Sequence, residues 1–231
     1  MVYTEESIKN GHVLLIDKPL TWSSFQAVNK IKWAIKKKFN LKKIKVGHAG
    51  TLDPLATGLL IICTGKFTKK IPELQGQIKE YTGTITLGAT RPSYDMETDI
   101  DNTFPTAHLS KEQIKKATQD FIGEIDQLPP VFSALKKDGK RLYEFAREGK
   151  EVEIEPRKVT ISAFEITRID MPDIHFKVTC SKGTYIRSLA HDFGKHLNSG
   201  AYLSALRRTK IGNFNVNNAI SPDAFVTTLQ S

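Results

Sequence analysis

The chain contains 231 residues, 39% of them hydrophobic, which is enough for one large domain or two small domains with a sizeable core. Lysine and arginine outnumber aspartate and glutamate by 34 to 25, and this excess favours a polyanionic partner because each phosphate that is neutralised releases a counterion. Two cysteines without a metal-ligand spacing, the lack of an apolar run of membrane-spanning length, and an N-terminus unlike a signal peptide argue against secreted and membrane proteins and predict a cytoplasmic location.

A strand and a basic helix are predicted at the start of the chain. The apolar run Val13–Ile16 predicts the strand, and Ser23 or Ser24 is the predicted N-cap of the helix, whose apolar residues recur at helical spacing. Lysines occupy the other faces of this helix and the segment after it, at positions 30, 32, 36, 37, 38, 42, 43 and 45. Such a run usually forms a solvated surface, but its position directly before the next motif favours contact with nucleic-acid phosphates.

Residues 45–60, KVGHAGTLDPLATGLL, form a glycine-rich turn that leads into a predicted buried strand, Leu59–Cys63. Glycine allows tight turns and a close approach to another molecule, and Pro54 fixes its own φ and biases Asp53 towards an extended conformation. One carboxylate is thereby held on a stiff support, as catalysis by positioning requires. The alternative is that the Asp-Pro pair and the glycines only mark a loop.

The sequence of this turn resembles the catalytic motif of the TruB-type pseudouridine synthases, enzymes that modify uridine 55 in the T arm of tRNA. The resemblance implies that Asp53 is the catalytic carboxylate and that His48 meets the rearranged T loop of the substrate. The alternative for His48 is a histidine that only satisfies the hydrogen bonds of the turn. The segment Asp17–Pro19 resembles another motif of the family, which implies that it braces the catalytic turn.

The next predicted elements are a short helix, a strand and a polar loop. The helix covers residues 64–74, and residues 80–88 alternate as a half-buried strand does. In the TruB-type family a tyrosine at the position of Tyr81 lies against the target base; without the resemblance, a half-buried strand residue would be the favoured interpretation. The resemblance also implies that Asp95, in the loop at 91–95, contacts the substrate.

The segment at 127–149 contains prolines and has no clear hydrophobic period, which predicts an extended loop followed by a short helix. A helix capped by Ser110 precedes this segment. The segment closely resembles the insertion with which TruB-type enzymes clamp the T loop, and the resemblance therefore implies that it contacts RNA. Arg141 and Arg147 are its candidate phosphate contacts, and solvated helix charges are an equally good alternative.

Two alternating segments, at 158–168 and 173–181, predict a pair of antiparallel strands. An amphipathic helix follows, and Thr184 is its predicted N-cap. This assignment places Tyr185 and Arg187 in the first turn of the helix.

The last two motifs of the TruB-type family match this C-terminal part of the chain. The first implies that Arg187 pairs with the catalytic Asp53 and that Tyr185 packs on the substrate. The second, at 202–214, implies that Leu206 contacts the substrate.

Short turns between strands, with a few helices among them, predict a mixed α/β fold. The resemblance covers roughly residues 11–215 and implies a pseudouridine synthase fold, in which a mostly antiparallel central sheet has flanking helices and the RNA-clamping insertion. We expect residues 1–231 to form a single catalytic domain, without the C-terminal PUA domain of longer relatives.

Pseudouridine formation only rearranges atoms, so we expect no cofactor and no metal, and the sequence has no ligand cluster that would argue for one. The resemblance implies the T arm of tRNA as the partner, and we expect a monomer that needs no protein partner and binds no membrane. Three alternatives stay open: a non-catalytic RNA-binding module, a pseudouridine synthase that works on another RNA in a guide-RNA complex, and a glycosidase, which would usually need two carboxylates at the bond. The intact motif around Asp53 favours an enzyme, and the 127–149 segment and compact length favour a stand-alone tRNA enzyme.

Overall fold

The computed structural model describes residues 3–133, 135–137, 139–150 and 152–230, with the backbone alone at residues 136, 137, 141, 146 and 147. The chain forms two compact units. Unit 1 comprises Met1–Tyr81 and Leu206–Ser231, and unit 2 comprises Thr82–Ala205. Unit 2 is therefore one continuous stretch that is inserted into the sequence of unit 1.

Helices and strands are numbered here in chain order. They are α1 (Glu5–Asn10), β1 (Val13–Lys18), α2 (Ser24–Lys38), β2 (Val46–His48), β3 (Ala56–Thr64), α3 (Ile71–Gly76), β4 (Lys79–Leu87), β5 (Ala89–Thr90), β6 (Asn102–Thr103), α4 (Lys111–Ala117), β7 (Gly123–Gln127), β8 (Lys136–Lys137), β9 (Lys140–Arg141), α5 (Leu142–Arg147), β10 (Arg157–Asp170), β11 (Asp173–Cys180), α6 (Ile186–His196), β12 (Ala201–Ile211), β13 (Phe214–Asn215) and α7 (Pro222–Gln230). Segments of 3-10 helix lie at Gly65–Lys70, Thr118–Phe121 and Val216–Asn218.

Strand β3 is the centre of unit 1, because strands pair with both of its edges. β1 is antiparallel to it along one edge, while on the other edge β2 is antiparallel to its second half and β12 is parallel to its first half. Its side chains alternate between two apolar clusters: Leu60 and Ile62 pack with residues of α1, α2 and α7, and Leu59, Ile61 and Cys63 pack in a cluster that includes Leu74 of α3. Burial on both faces explains why β3 appears in the sequence as a continuous apolar run.

Unit 2 is built on antiparallel strands and a cluster of aromatic rings. β10 lies between β7 and β11 and is antiparallel to both; β11 is followed in the sheet by β4 and then β12. The ring of Phe164 in β10 meets those of Phe176 in β11, Phe193 in α6 and Phe121, with ring centroids 5.3 to 6.3 Å apart and steep angles between the rings. This edge-to-face packing fixes α6 on the strands, and α6 carries two of the predicted site residues at or near its start.

The structure confirms the predicted fold class, a mixed α/β fold with a mostly antiparallel sheet. Of the strand pairs with a described register, only β3 with β12 is parallel. Ser23 is the N-cap of α2 and Ser110 that of α4, each through a side chain that accepts a backbone N–H. Both cysteines are buried free thiols in strands. Within the described part of the chain, every helix is too short or too polar to cross a membrane.

Gly58 stands where β3 pairs in parallel with β12, opposite Arg208 and with a φ of +105°. A Cβ atom at this position would lie 2.3 Å from the carbonyl oxygen of Arg208 and 2.8 Å from its nitrogen. We expect Gly58→Ala to lower the free energy of unfolding by about 2–4 kcal/mol, because it adds both backbone strain and overpacking.

Gly76→Ala is the matched control, because nothing lies within 4 Å of the Cβ position of Gly76 at the end of α3. It should change the free energy of unfolding by less than about 1 kcal/mol. Urea unfolding followed by circular dichroism measures both variants, and equal effects of the two substitutions would contradict the assigned role of Gly58.

Candidate active site

Asp53 lies in unit 1, in the turn that connects β2 to β3. The turn is closed by a hydrogen bond in which the backbone N–H of Ala56 donates to the carbonyl oxygen of Asp53, at 3.1 Å. Gly50 has a φ of +103°, a conformation that other residues rarely adopt. The Asp53 side chain is half-buried. The predicted turn in front of a buried strand is therefore confirmed.

A buried lysine at the end of β1 supports this turn on the proline side. The Lys18 side chain is fully buried, and its Nζ donates to the carbonyl oxygens of Pro19 at 2.9 Å, Trp22 at 2.6 Å and Pro54 at 3.4 Å. Burial lowers the pKa of Lys18 to about 8, and the negative charge of Asp53 opposes this effect. The contact with Pro54 agrees with the prediction that the segment at 17–19 braces the turn.

A buried serine supports the residue on the other side of Asp53. The Ser24 hydroxyl donates to the carbonyl oxygen of Leu52 at 3.0 Å, and its oxygen accepts the backbone N–H of Leu52 at 2.8 Å. The sequence predicted Ser23 or Ser24 as a helix cap; Ser23 takes that role, and Ser24 is left to hold the turn.

A buried arginine holds the glycine-rich part of the turn. Arg208 of β12 is 2% exposed. Its Nε donates to the carbonyl oxygen of Leu59 at 2.8 Å, and its Nη1 and Nη2 donate to those of Thr51 and Gly50, each at 3.2 Å. The guanidinium group presents its donors in a rigid fork, which suits three carbonyl groups on neighbouring segments.

Sequence reasoning missed Arg208 as a site residue, although a signal was present. Two adjacent arginines, Arg207 and Arg208, lie within β12, and adjacent strand residues point to opposite faces of a sheet. One of them therefore had to point into the core or into an ion pair. Arg207 forms the ion pair, with both carboxylate oxygens of Asp17 at 3.0 and 2.7 Å.

Three further predicted site residues belong to unit 1. His48 is the last residue of β2 and is half-buried, and its Nδ1 is buried with no hydrogen-bond partner among the described residues. Burial lowers the pKa of His48, a backbone hydrogen bond with Gly50 opposes this, and the positive charge of Arg208 adds to it. His48 is therefore neutral at pH 7 and hydrogen-bonded to the backbone of Gly50.

Tyr81 and Leu206 stand on β4 and β12 within unit 1. Tyr81 is 8% exposed, so it is more buried than the half-buried strand residue of the alternative interpretation. Leu206 is half-buried and lies opposite Ala56 in the parallel register of β12 with β3. This register puts the backbone of Leu206 beside the end of the Asp53 turn.

In unit 2 the structure brings together Arg187 and Asp95, two predicted site residues that were not expected to pair with each other. Arg187 is 4% exposed and Asp95 is 5% exposed, and the Nε of Arg187 lies 3.6 Å from Oδ2 of Asp95. The Nη1 of Arg187 also donates to the carbonyl oxygens of Ser93 at 3.2 Å and Phe132 at 2.9 Å. The predicted pairing of Arg187 with Asp53 stays a prediction.

The backbone of Tyr185 is held by hydrogen bonds with Gln127. The prediction that Thr184 caps the following helix, α6, is wrong. Gln127 accepts the N–H of Tyr185 at 2.8 Å and donates to its carbonyl oxygen at 3.0 Å, while the guanidinium group of Arg157 lies 4.5 Å from the centre of the tyrosine ring. Tyr185 itself is the N-cap of α6, without a side-chain cap. Thr184 lies one residue before this N-cap, and its hydroxyl donates to the carbonyl oxygen of Ser181.

Two other predictions concern groups for which the structure gives no test. The side chains of Arg141 and Arg147, the candidate phosphate contacts, lie outside the described residues. In the described part of the chain, no group of three or more histidine, cysteine, aspartate or glutamate side chains could hold a metal ion.

The titration of Lys18 can be measured from protein stability. Its pKa in the folded chain, about 8, is below the ordinary 10.5, so the unfolded chain binds more protons between these two pH values. The free energy of unfolding of the wild type, relative to Lys18→Met, should therefore rise between pH 8 and 10.5, by on the order of 3 kcal/mol.

Urea unfolding of both proteins across this pH range measures that difference, and titration of the other groups cancels because they are common to both. A difference that stays constant or falls as the pH rises would contradict the burial of a charged Lys18.

Comparison with known proteins identifies the family of the chain. Residues 36–186 match the family described as TruB family pseudouridylate synthase (N terminal domain). Over 98% of its length the chain is 66% identical to tRNA pseudouridine synthase B of Flavobacterium johnsoniae, and the match covers all of that relative. Over 95% of its length it is 53% identical to tRNA pseudouridine synthase B of Phocaeicola vulgatus, and the match covers 93% of that relative.

A solved structure agrees with these matches. A chain in the crystal structure of a Cbf5-Nop10-Gar1 complex is 31% identical to this chain, with a TM-score of 0.69. The match covers 94% of this chain and 53% of the solved one, so the present chain spans about half the length of that protein. The chain belongs to the TruB family of pseudouridylate synthases.

Proposed function

We propose that this chain isomerises a uridine of tRNA to pseudouridine at position 55 in the T loop, with Asp53 as the catalytic carboxylate. The observation that carries the proposal is the support of Asp53 from both sides. Ser24 holds Leu52, the residue before Asp53, and Lys18 holds Pro54, the residue after it. A carboxylate on a turn that cannot shift is what a reaction that depends on positioning needs. Curated relatives named tRNA pseudouridine synthase B support the substrate.

The reaction requires few chemical groups. The bond between C1′ and N1 of the uridine breaks, the base turns, and C1′ joins C5; the proton on C5 is lost and N1 gains one. Asp53 attacks C1′ as a nucleophile in one path and takes a proton of the sugar as a base in the other. Both paths use a single ionised carboxylate, so neither needs a metal or an external reductant.

The other site residues act on the substrate or on one another in this proposal. Tyr81 and Tyr185 provide rings against which the base packs, and Leu206 provides an apolar contact beside the turn. The family resemblance assigns to Arg187 the role of keeping Asp53 ionised. Asp95 is buried against Arg187 and orients its guanidinium group. Its effect on the substrate is therefore indirect, through the position of Arg187.

The uridine is stacked in a folded T loop and must be flipped out to reach Asp53. His48 is five residues before Asp53 and neutral at pH 7, and its buried Nδ1 has no hydrogen-bond partner in the described part of the protein. We propose that His48 holds the rearranged loop open. The alternative role, to satisfy hydrogen bonds of the turn itself, is supported by the backbone hydrogen bond between His48 and Gly50.

We propose further that the chain works as a single catalytic domain, with the segment at 127–149 against the RNA, and as a monomer that needs no protein partner. The relatives that support this are matched over almost their entire length. The solved chain from the Cbf5-Nop10-Gar1 complex is about twice as long and comes from an assembly of several proteins. An assay with the pure chain and no additives therefore separates the stand-alone enzyme from a component of a complex.

The function is tested by mapping pseudouridine in an unmodified tRNA transcript after incubation with the pure chain. We expect modification at position 55 and a loss of at least about 10³-fold in rate for Asp53→Asn, with tRNA binding retained, because the amide can neither attack C1′ nor accept a proton.

Asp223→Asn makes the same chemical change at an exposed position in α7 and should stay within about twofold of the wild type. Product formed by Asp53→Asn that is free of wild-type protein would refute the role of Asp53, and modification outside the T loop would refute the substrate.

The role of His48 is tested with two substrates. His48→Ala should slow the reaction on folded tRNA by about tenfold or more, and should have a smaller effect on a flexible single-stranded oligonucleotide, because only the folded loop must be held open. Rates under single-turnover conditions measure this difference. Equal losses on both substrates would assign His48 to the turn and not to the RNA.

A further inference from the structure

Unit 1 contains a cleft of about 600 Å³ that is separate from the residues around Asp53. We name it the lysine cleft, because Lys9, Lys32, Lys36, Lys66 and Lys69 line it together with the lysines at positions 42, 43 and 45. These residues come from α1, α2, the loop before β2, and the 3-10 helix Gly65–Lys70. Segments that are far apart in the sequence therefore place their cations around one space.

The frame of the lysine cleft is rigid at its centre. The N–H of Gly65 donates to the carbonyl oxygen of Lys45 at 2.9 Å, and Gly65 has a φ of +52°. A Cβ at this position would lie 2.1 Å from the carbonyl oxygen of Lys9, so only glycine allows three segments to meet here. The Nζ of Lys66 donates to the side-chain oxygen of Asn10 at 3.0 Å, which ties the 3-10 helix to the end of α1.

The structure divides the lysine run that the sequence showed as a single feature. On one side of α2, Lys30 pairs with Asp223 at 2.9 Å, and Lys38 donates to the carbonyl oxygen of Gln230 at 3.0 Å. Lys37 lies over the ring of Trp33, at 5.0 Å. These lysines stabilise the helix and its contact with α7.

The lysine cleft receives a different set from the same helix, Lys32 and Lys36. Both are half-buried, and among the described residues that line the cleft none is acidic. Lys9 has an ion pair with Glu5 one turn earlier in α1, but that pair is exposed and contributes little. Like charges in one cleft repel each other, and an anion with several charges relieves this repulsion when it enters.

The position of the lysine cleft along β3 limits which anion it can receive. Asp53 precedes the first residue of β3, Ala56, and Gly65 follows the last, Thr64. A nine-residue strand is about 25–30 Å long, so a phosphate in the cleft lies on the order of 25 Å from a sugar at Asp53. Stacked base pairs advance about 3.4 Å each along a duplex, so this distance corresponds to roughly seven base pairs beyond the loop nucleotide.

We propose that the lysine cleft binds the phosphate backbone of a second helical part of the same tRNA, beyond the base pairs next to the T loop. This inference rests on the proposed function for the identity of the RNA. Each lysine–phosphate contact releases counterions, so the cleft contributes affinity that depends steeply on salt and carries no base specificity. It fixes the distance of the substrate helix from Asp53.

The test compares two double variants of α2 that remove the same charge. The variant with Lys32→Gln and Lys36→Gln removes both positive charges that α2 contributes to the lysine cleft. The control, with Lys37→Gln and Lys38→Gln, removes two charges from the side of α2 that faces Trp33 and α7. Binding of unmodified, labelled tRNA is measured by fluorescence anisotropy at about 50–300 mM salt. Thermal unfolding of both variants confirms that each is folded.

For full-length tRNA we expect the cleft variant to lose about 1.5 from the slope of log affinity against log salt, and roughly tenfold in affinity at about 0.1 M salt. The control variant should lose less than half as much. On a short T-arm hairpin, which cannot reach the cleft, the two variants should be indistinguishable.

Equal losses for the two variants on tRNA would overturn the proposal, and would leave an acidic protein as the better candidate for the cleft. A loss of equal size on the hairpin would overturn it too, because the cleft would then bind RNA near the T loop. The outcome is separable from that of the proposed function, because binding is read without pseudouridine formation: a selective loss with no product formed would keep the cleft and refute the enzyme.

Discussion

The turn that carries Asp53 depends on buried cations that donate hydrogen bonds to its backbone carbonyl groups. Lys18 and Arg208 are both shielded from solvent, and between them they hold Pro54, Thr51 and Gly50. A buried charge is costly unless its donors are satisfied, and a hydrogen bond from a charged group contributes about 1.5–3 kcal/mol. The turn and the two cations therefore require each other: without the carbonyl groups the charges could not be buried, and without the charges a glycine-rich segment would sample many conformations.

The same arrangement recurs in unit 2, where it supports other predicted site residues. Arg187 donates to two backbone carbonyl groups and lies against the buried Asp95, and Gln127 holds both polar groups of the Tyr185 backbone. In each unit, side chains proposed to contact RNA stand on backbone that is held by hydrogen bonds from buried polar side chains. Such networks specify one geometry more sharply than apolar packing does, because any displacement leaves a donor or an acceptor unpaired.

Much of this structure could be predicted from the sequence, and the failures have physical reasons. The apolar run at β3, the alternation of β10 and β11, and the caps Ser23 and Ser110 are local signals, and each predicted its element correctly. Thr184 was assigned as a cap because capping was judged from residue type alone, whereas the helix begins one residue later, with Tyr185 as its N-cap. The roles of Ser24 and Arg208 depend on contacts with residues 28 to 158 positions away, which no local pattern contains. The sequence of the lysine run shows its charge but not where each side chain points. Only the packing of α2 against α7 separates the lysines that line the cleft from those that contact α7.

The insertion of unit 2 into the sequence of unit 1 has a consequence for biosynthesis. Arg208 reaches the segment around Gly50 across 158 residues of chain, and β12 forms the parallel neighbour of β3. On a ribosome, which releases the N-terminal part first, the residues before Thr82 must wait until nearly the whole polypeptide has emerged before this partner is available. A truncated translation product would carry the turn with Asp53 but not its guanidinium support. The order of synthesis thus keeps unfinished chains from forming the supported turn around Asp53.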